Sequence, residues 1–151
     1  ICKFLVVVDD TEECDRAVVF AARRAEHTGG VLVLLHVVDD SDFRGFLGVE
    51  QVMRSEAHAD AERILAAVVA RVQAIAAIDP EKVIREGARA TEVMRLIEED
   101  EDIAVLVLAA GTSSEGPGPL VTSIGRASGS FPVPVTIVPG HLSDDEISAI
   151  A

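Results

Sequence analysis

Short unbroken apolar runs alternate along this chain with stretches in which apolar residues return every three or four positions. The apolar and β-branched runs are Lys3 to Val8, Val31 to Val38 and Ile103 to Leu108, the last apolar at every position, and to them are added a short strand-like stretch, Lys82 to Glu86, and a β-rich run, Val133 to Val138. Side chains buried on both faces are expected of parallel strands, and these runs predict five of them. Between the first two, Cys14, Ala17, Val18, Ala21, Ala22 and Ala25 share one helical face. Thr11 stands where an N-cap would, Glu12 and Glu13 suit the positive first turn, and Gly29-Gly30 ends the helix. A long helix is predicted from about Glu50 to Ala77, with Met53, Ala57, Ala61, Ile64, Leu65, Val68, Val72 and Ile75 as its apolar stripe, broken by Asp79-Pro80. Thr91 to Glu99 predicts a further helix with Val93, Met94 and Ile97 inward. Ser143 followed by Glu146 has the form of a capping box and predicts a terminal helix over Asp144 to Ile150. The alternation is βαβαβαβαβ, which calls for a mostly parallel five-stranded α/β sheet with helices on both faces, joined by right-handed crossovers.

The unit from Ile103 to Gly140 organises the rest. It reads strand, glycine-rich loop, short helix, strand. Its loop, Gly111 and Thr112 to Pro119, is rich in hydroxyls, glycine and proline. Bare backbone N–H groups ahead of a helix attract anions, so this is the place to look for a phosphate cradle. Ligands of open α/β sheets bind beyond the carboxyl ends of the strands, where strand order reverses. Asp9, Val38 and the residues from Gly111 onward all stand at such ends.

Composition narrows the partners. A length of 151 residues is one domain's worth, and 49% hydrophobic content indicates a packed core. No apolar run approaches the ~20 residues that span a bilayer, and the start carries no basic-then-apolar signal segment. The chain opens at Ile1 without Met, which fits a start a few residues upstream. A formal charge of −13 argues against nucleic acid and anionic membranes, which need a positive footprint. The absence of Trp and Tyr removes the usual stacking platforms. Cys2 and Cys14 have neither disulfide-framework nor zinc spacing, which suits a reducing, cytoplasmic setting.

Individual residues add little catalytic promise. There is no GxxxxGK[ST] loop, and the first turn, Asp9-Asp10-Thr11, has no glycine for a dinucleotide fingerprint. Asp9-Asp10 suggests the magnesium site of a receiver domain, but Glu86-Gly87 and Val138-Pro139 stand where that site needs an aspartate and a lysine. Asp9 suits a ribose hydroxyl, and Asp10 reads as a solvated turn residue. Cys14 sits on an apolar helix face and reads as buried and inert, and His36 as a satisfied core histidine. His58 and Glu62, four apart, read as a surface pair. The apolar loop residues Phe43, Phe46 and Leu47 read as a lid on the domain's own core in preference to a partner surface. No nucleophile–base pair can be assembled.

Taken in order, VVVDDTEECDRAVVFAARRA, VLLHVVD, IREGARATEVMRLIEED, IAVLVLAAG and FPVPVTIVP resemble the universal stress protein family over nearly the whole chain. The resemblance implies a universal-stress domain over residues 1–140 with a tail over 141–151, and sheet order 3-2-1-4-5. It also implies a homodimer that pairs the fifth strands, Val133–Val138, antiparallel; Pro132 and Pro134 suit an edge strand. Many members bind ATP through G-x2-G-x9-G-[ST]. Here Gly111 fits the first glycine, but Ser114 replaces the second. Val121-Thr122 falls where the final Gly-Ser pair belongs, with the loop about three residues short. Pro117 and Pro119 lack N–H donors, Glu115 adds negative charge, and no Lys or Arg occurs between Gly111 and Gly125. The resemblance therefore implies a stress-response protein acting by interaction with an unknown protein partner or by sensing, with a degraded or altered nucleotide cleft. Alternatives are an ATP-binding, slowly hydrolysing member, and an enzyme or electron-transfer subunit on a related adenine-binding fold. If ATP binds, Asp9 takes the ribose, the backbone near Val38 the adenine, and Gly111, Thr112, Ser113, Thr122 and Ser123 the phosphates.

Overall fold

The structure, a computed structural model, describes residues 1–43 and 48–151. Five parallel strands are present: β1 (Lys3–Val7), β2 (Val31–Val38), β3 (Glu81–Glu86), β4 (Ile103–Ala110) and β5 (Val135–Pro139). They lie in the order β3-β2-β1-β4-β5, so β1 is central and β5 is an edge. Among the described residues five α-helices connect or follow them, α1 (Cys14–Thr28), α2 (Glu50–Ile75), α3 (Arg89–Glu99), α4 (Pro119–Arg126) and α5 (Asp144–Ile150), with one 3-10 turn at Asp40–Phe43.

Strand alternation divides the core in two. Phe4, Val6 and Val8 of the first strand segment join Leu32, Leu34, Val107 and Val138 beneath α1, α2 and α5. Leu5 and Val7 join Val33, Leu35, Leu106 and Leu108 beneath α3 and α4. Both faces of the sheet are covered, which is why its central strands show no polar alternation.

Local details depart from the sequence reading: α2 ends at Ile75, α3 starts at Arg89 and β4 runs on to Ala110, and further differences have a visible cause. Thr11 does not cap α1: the N-cap is Glu13 with no side-chain cap bond. Thr11 instead donates its backbone N–H to Asp9 Oδ1 at 2.9 Å, and its hydroxyl to the same oxygen. The competing local turn has taken the hydroxyl. His58 pairs with Glu86, Nε2 to Oε2 at 3.0 Å, and not with Glu62. In α3, Leu96 and Glu92 are buried with Val93 and Ile97, while Met94 is only half-buried. The fifth strand starts two residues later than expected, because Val133 and Pro134 lie ahead of the ladder; Pro134 contributes only its carbonyl, to Leu106 N–H at 3.0 Å.

Phe43 is buried against Val38 and Ala61, with Met53, Ala57 and Ile84 around it and the Arg54 guanidinium 5.4 Å from its ring centre. That fits the core-lid reading for Phe43; Phe46 and Leu47 fall outside the described residues. His36 Nδ1 lies 2.7 Å from the Val8 carbonyl, a satisfied core histidine.

The terminal helix is held from two sides. Ile147 is fully buried against α1's face of the core. The capping box forms: Ser143 Oγ accepts from Glu146 N–H, and Glu146 Oε1 accepts from Ser143 N–H, both at 3.1 Å. Arg71 of α2 bridges Asp15 of α1 (3.0 Å) and Asp144 of α5 (2.9 Å), and Arg16 donates to the Leu142 carbonyl (2.8 Å). Burial works to raise Asp15, but the bonds from Arg71 and Arg16 outweigh it and hold its carboxyl below the ordinary aspartate range. The bonds from Arg71 and then Arg16 hold Asp144 low as well.

Depressed carboxyl pKa values in the folded state mean that folding is favoured while these groups are charged. Their contribution is complete above the ordinary aspartate value of 3.8 and drains away as pH falls through the lower folded values. Half-exposed pairs are worth roughly 0–1 kcal/mol each. Asp144→Asn is therefore expected to lower Tm slightly at pH 7, with the gap closing as pH falls below 3.8 and through the lower folded value; a gap that widens in acid would contradict the network.

Candidate functional site

Strand order reverses between β1 and β4. Asp9 leaves the end of β1, and Gly111 leaves the end of β4. The chain after β4 does not form an open cradle. Gly111 N–H donates to the Pro117 carbonyl at 2.9 Å, Gly116 N–H to the Ser113 carbonyl at 3.2 Å, and Glu115 N–H to Ser113 Oγ at 3.3 Å. Three donors that could face an anion are thus satisfied within the loop. Thr122 N–H and Oγ1 both donate to the Gly118 carbonyl, as residues of a first helical turn do.

Two spaces flank the loop, and Gly118 and Pro119 line both. On the outside is an open hollow of about 760 Å³ lined by Gly111, Thr112, Ser113, Thr122 and Ser123, together with Glu12, Glu13, Glu115 and Arg126. Five of the sequence-predicted residues meet here. Three carboxylates face one guanidinium, a balance that repels a polyphosphate. Glu13 stands so close over Gly111 that a Cβ there would lie 3.0 Å from its Oε1. On the inside is a crevice of about 90 Å³ lined by Asp9, Thr11, Cys14, Arg89, Leu108 and the segment Pro117 to Val121, among others. Small-molecule pockets usually hold roughly 300–1,000 Å³, so the crevice is too small for a nucleoside as it stands.

Asp9 is therefore placed at the reversal point but apart from the loop hydroxyls. One of its oxygens accepts from Thr11, and the other lies 3.9 Å from Arg89 Nη1. Val38 lines neither space: its side chain is buried, and its carbonyl accepts from Gly87 N–H at 2.9 Å. Cys14 is buried with Sγ 3.7 Å from the Val7 carbonyl, and burial pushes its thiol up to about 11, so it is a poor nucleophile.

Two residues were missed. Arg89 opens α3 directly beyond β3, and the rule that ligands gather at strand carboxyl ends marks that position. Glu92 is buried, with Arg95 Nη1 2.9 Å from its Oε2; nothing in the sequence distinguishes it from the exposed glutamates of the same helix. Among the described residues, no group of three His, Cys, Asp or Glu side chains could hold a metal ion. No described helix is long and apolar enough to cross a membrane.

A doubly wound parallel sheet with a glycine-rich, hydroxyl-rich loop at its reversal point defines an α/β protein of the class that receives ligands beyond its strand ends. The universal stress protein family profile matches residues 2–139, and the chain belongs to that family. Solved structures agree on the fold. Universal stress protein UspA from Lactobacillus plantarum is 19% identical, with TM-score 0.75 over 91% of this chain and 97% of its own. A universal stress protein in complex with cAMP is 20% identical, with TM-score 0.69 over 92% of this chain and 97% of its own. The universal stress protein from Archaeoglobus fulgidus in complex with dAMP is 17% identical, with TM-score 0.63 over 91% and 98%. No curated protein matches the chain.

Proposed function

We propose that this chain is a cytoplasmic stress-response protein that acts by protein interaction or sensing, with a nucleotide cleft altered from the family's ATP-binding form. The observation that carries this reading is the loop after β4. Its backbone donors are turned inward, its hollow carries three carboxylates against Arg126, and it stands between Asp9 and the hydroxyls of Thr122 and Ser123. A triphosphate with magnesium would meet too few free donors and too little positive charge there.

The acting form is a homodimer joined through β5. In support, β5 is an edge with one free row of backbone groups, and Ile137 on it is 45% exposed. A second reading, an adenine-nucleotide-binding member, draws support from the relatives in complex with cAMP and dAMP. In that case Asp9 holds the ribose and the Gly111 loop the phosphate.

Isothermal titration of Mg-ATP into the purified protein separates the two. No saturable heat below millimolar ATP is expected. Micromolar binding that disappears in Asp9→Ala would replace the altered-cleft reading with the second.

A further inference from the structure

Another hollow lies at the opposite end of the strands, on the face that α1 and α5 cover. Thr136 and Val138 stand two apart on β5 and so point to the same side. Val138 is buried in one cluster with Ile147 of α5, but Thr136 is only half-buried. The helix has seven residues, about 10 Å of length, and leaves the first half of the strand uncovered. What remains is an open groove of about 490 Å³ near the amino-terminal ends of β1, β4 and β5, a size common among small-molecule sites. Phe4, Phe20, Val105 and Ile150 form its apolar wall. The chain has 26 Asp and Glu, and both spaces at the reversal point carry carboxylates, yet among the described residues the groove is lined by none. The charged group on it is Arg24. Among the described residues Arg24 makes no ion pair; its Nη1 donates to the Ala151 carbonyl at 3.4 Å, long for such a bond. Thr28 beside it donates its hydroxyl to the Arg24 carbonyl at 2.8 Å, so the guanidinium is the strongest donor the groove offers.

We propose that this groove binds the free anion of an aliphatic monocarboxylic acid of medium chain length, its chain along Phe4, Phe20 and Val105 and its carboxylate on Arg24. Charge complementarity selects this occupant. The planar fork of a guanidinium matches a carboxylate with two parallel bonds, and an apolar wall beside it lowers the local dielectric and strengthens the pair. A neutral chain would leave Arg24 without a partner. A polyanion would meet a single cation on a chain whose net charge is −13. Each methylene that leaves water adds about fourfold to affinity, but an open groove of this volume buries a short chain and lets a long one run out into solvent. The inference goes beyond the altered-cleft reading and does not depend on it, because the groove and the cleft lie at opposite ends of the sheet.

The probe is decanoate, and decanol, the same chain without the charge, is its control. Both are titrated calorimetrically into the purified protein. A thiol on the groove reports where the acid sits: Cys2 lines it and is exposed, while Cys14 is buried, so alkylation of the native protein by iodoacetamide reads Cys2. Decanoate is expected to bind saturably below about 1 mM, as befits a small ligand on an open site, and to slow Cys2 alkylation several-fold. Arg24→Gln is expected to weaken decanoate about tenfold, the low end for one charge-assisted bond, and to leave decanol unchanged. An absence of saturable decanoate binding below about 1 mM would overturn the proposal. So would decanoate binding that Arg24→Gln does not alter, or that leaves Cys2 alkylation at its free rate, since the acid would then sit elsewhere. Alkylation that slows with protein concentration alone would also overturn it and give the groove to a second copy of this chain. The altered-cleft reading stands or falls separately, on the Mg-ATP titration.

Discussion

Leu106→Ala is expected to cost about 2–5 kcal/mol of stability, the range for emptying a fully buried leucine site. Leu106 is completely inaccessible, sits mid-way along β4, and stands between Leu5 of β1 and Val135 of β5 in the ladder. Its layer also holds Leu108, Ile124, Val93 and Ile97, from its own strand and the two helices of that face. A parallel sheet covered on both sides cannot collapse around such a hole without moving a helix, which places the expected cost in the upper half of the range. For a chain of this size each kcal/mol shifts Tm by roughly 2–4 °C, so a drop of about 7–20 °C should be seen. Urea unfolding supplies the check: the midpoint falls and the m-value stays the same. Val52→Ala, at an exposed position on α2, should change stability by no more than about 0.5 kcal/mol. A loss below 1 kcal/mol at Leu106 would show that the layer is loosely packed.

Gly140→Ala is the second large effect, and it acts on backbone. A Cβ at Gly140 would overlap the Ala110 carbonyl oxygen, the same atom that accepts the Gly140 N–H at 2.9 Å, and would lie 3.1 Å from Glu13 Cβ. The obstacle is main chain at the end of β4, which cannot rotate away as a side chain can. Overpacking of this kind costs about 1–3 kcal/mol, and the β4–β5 ladder loses its last bond. Gly129→Ala, where an added Cβ meets nothing within 4 Å, is the matched control and should be nearly neutral. Because Ala110 leads directly into Gly111, amide exchange at Gly111 should also rise in Gly140→Ala and stay unchanged in Gly129→Ala. If both variants melt together, the close approach at Gly140 carries no energetic weight.

The strands and helices were legible because two periodicities do not overlap. The run VLVLLHVV has no polar phase and must be buried on both faces, whereas the α1 face from Cys14 to Ala25 returns every three or four residues and must be covered on one. Strand order was not readable from periodicity, since the alternation alone permits several orders; it came with the family resemblance, and the sheet has it. Ends were harder than middles. Thr11 has the chemistry of a cap, but Asp9 two residues earlier offers it a closer partner. Val133 has the composition of a strand, but Pro134 delays the ladder. At the candidate site, the sequence identified the loop and its missing donors: prolines without N–H and a glutamate where phosphates would lie. It could not reveal that the loop folds inward and divides Asp9 from Thr122 and Ser123, because this depends on which carbonyl captures Gly111 N–H. Arg89 was missed because its partner, Asp9, is eighty residues away in the chain.

The central position of β1 has a consequence for synthesis on the ribosome. One flank of β1 is closed by β2, whose pairing Val6 with Leu34 is available early, but the other flank waits for β4, where Val6 meets Val107. Translation at roughly 5–20 residues per second leaves that edge of the central strand without its neighbour for about 5–20 s. A nascent chain stalled between β3 and β4 would present an unpaired apolar edge to its surroundings, the form most apt to be held by a chaperone or to join another chain like itself.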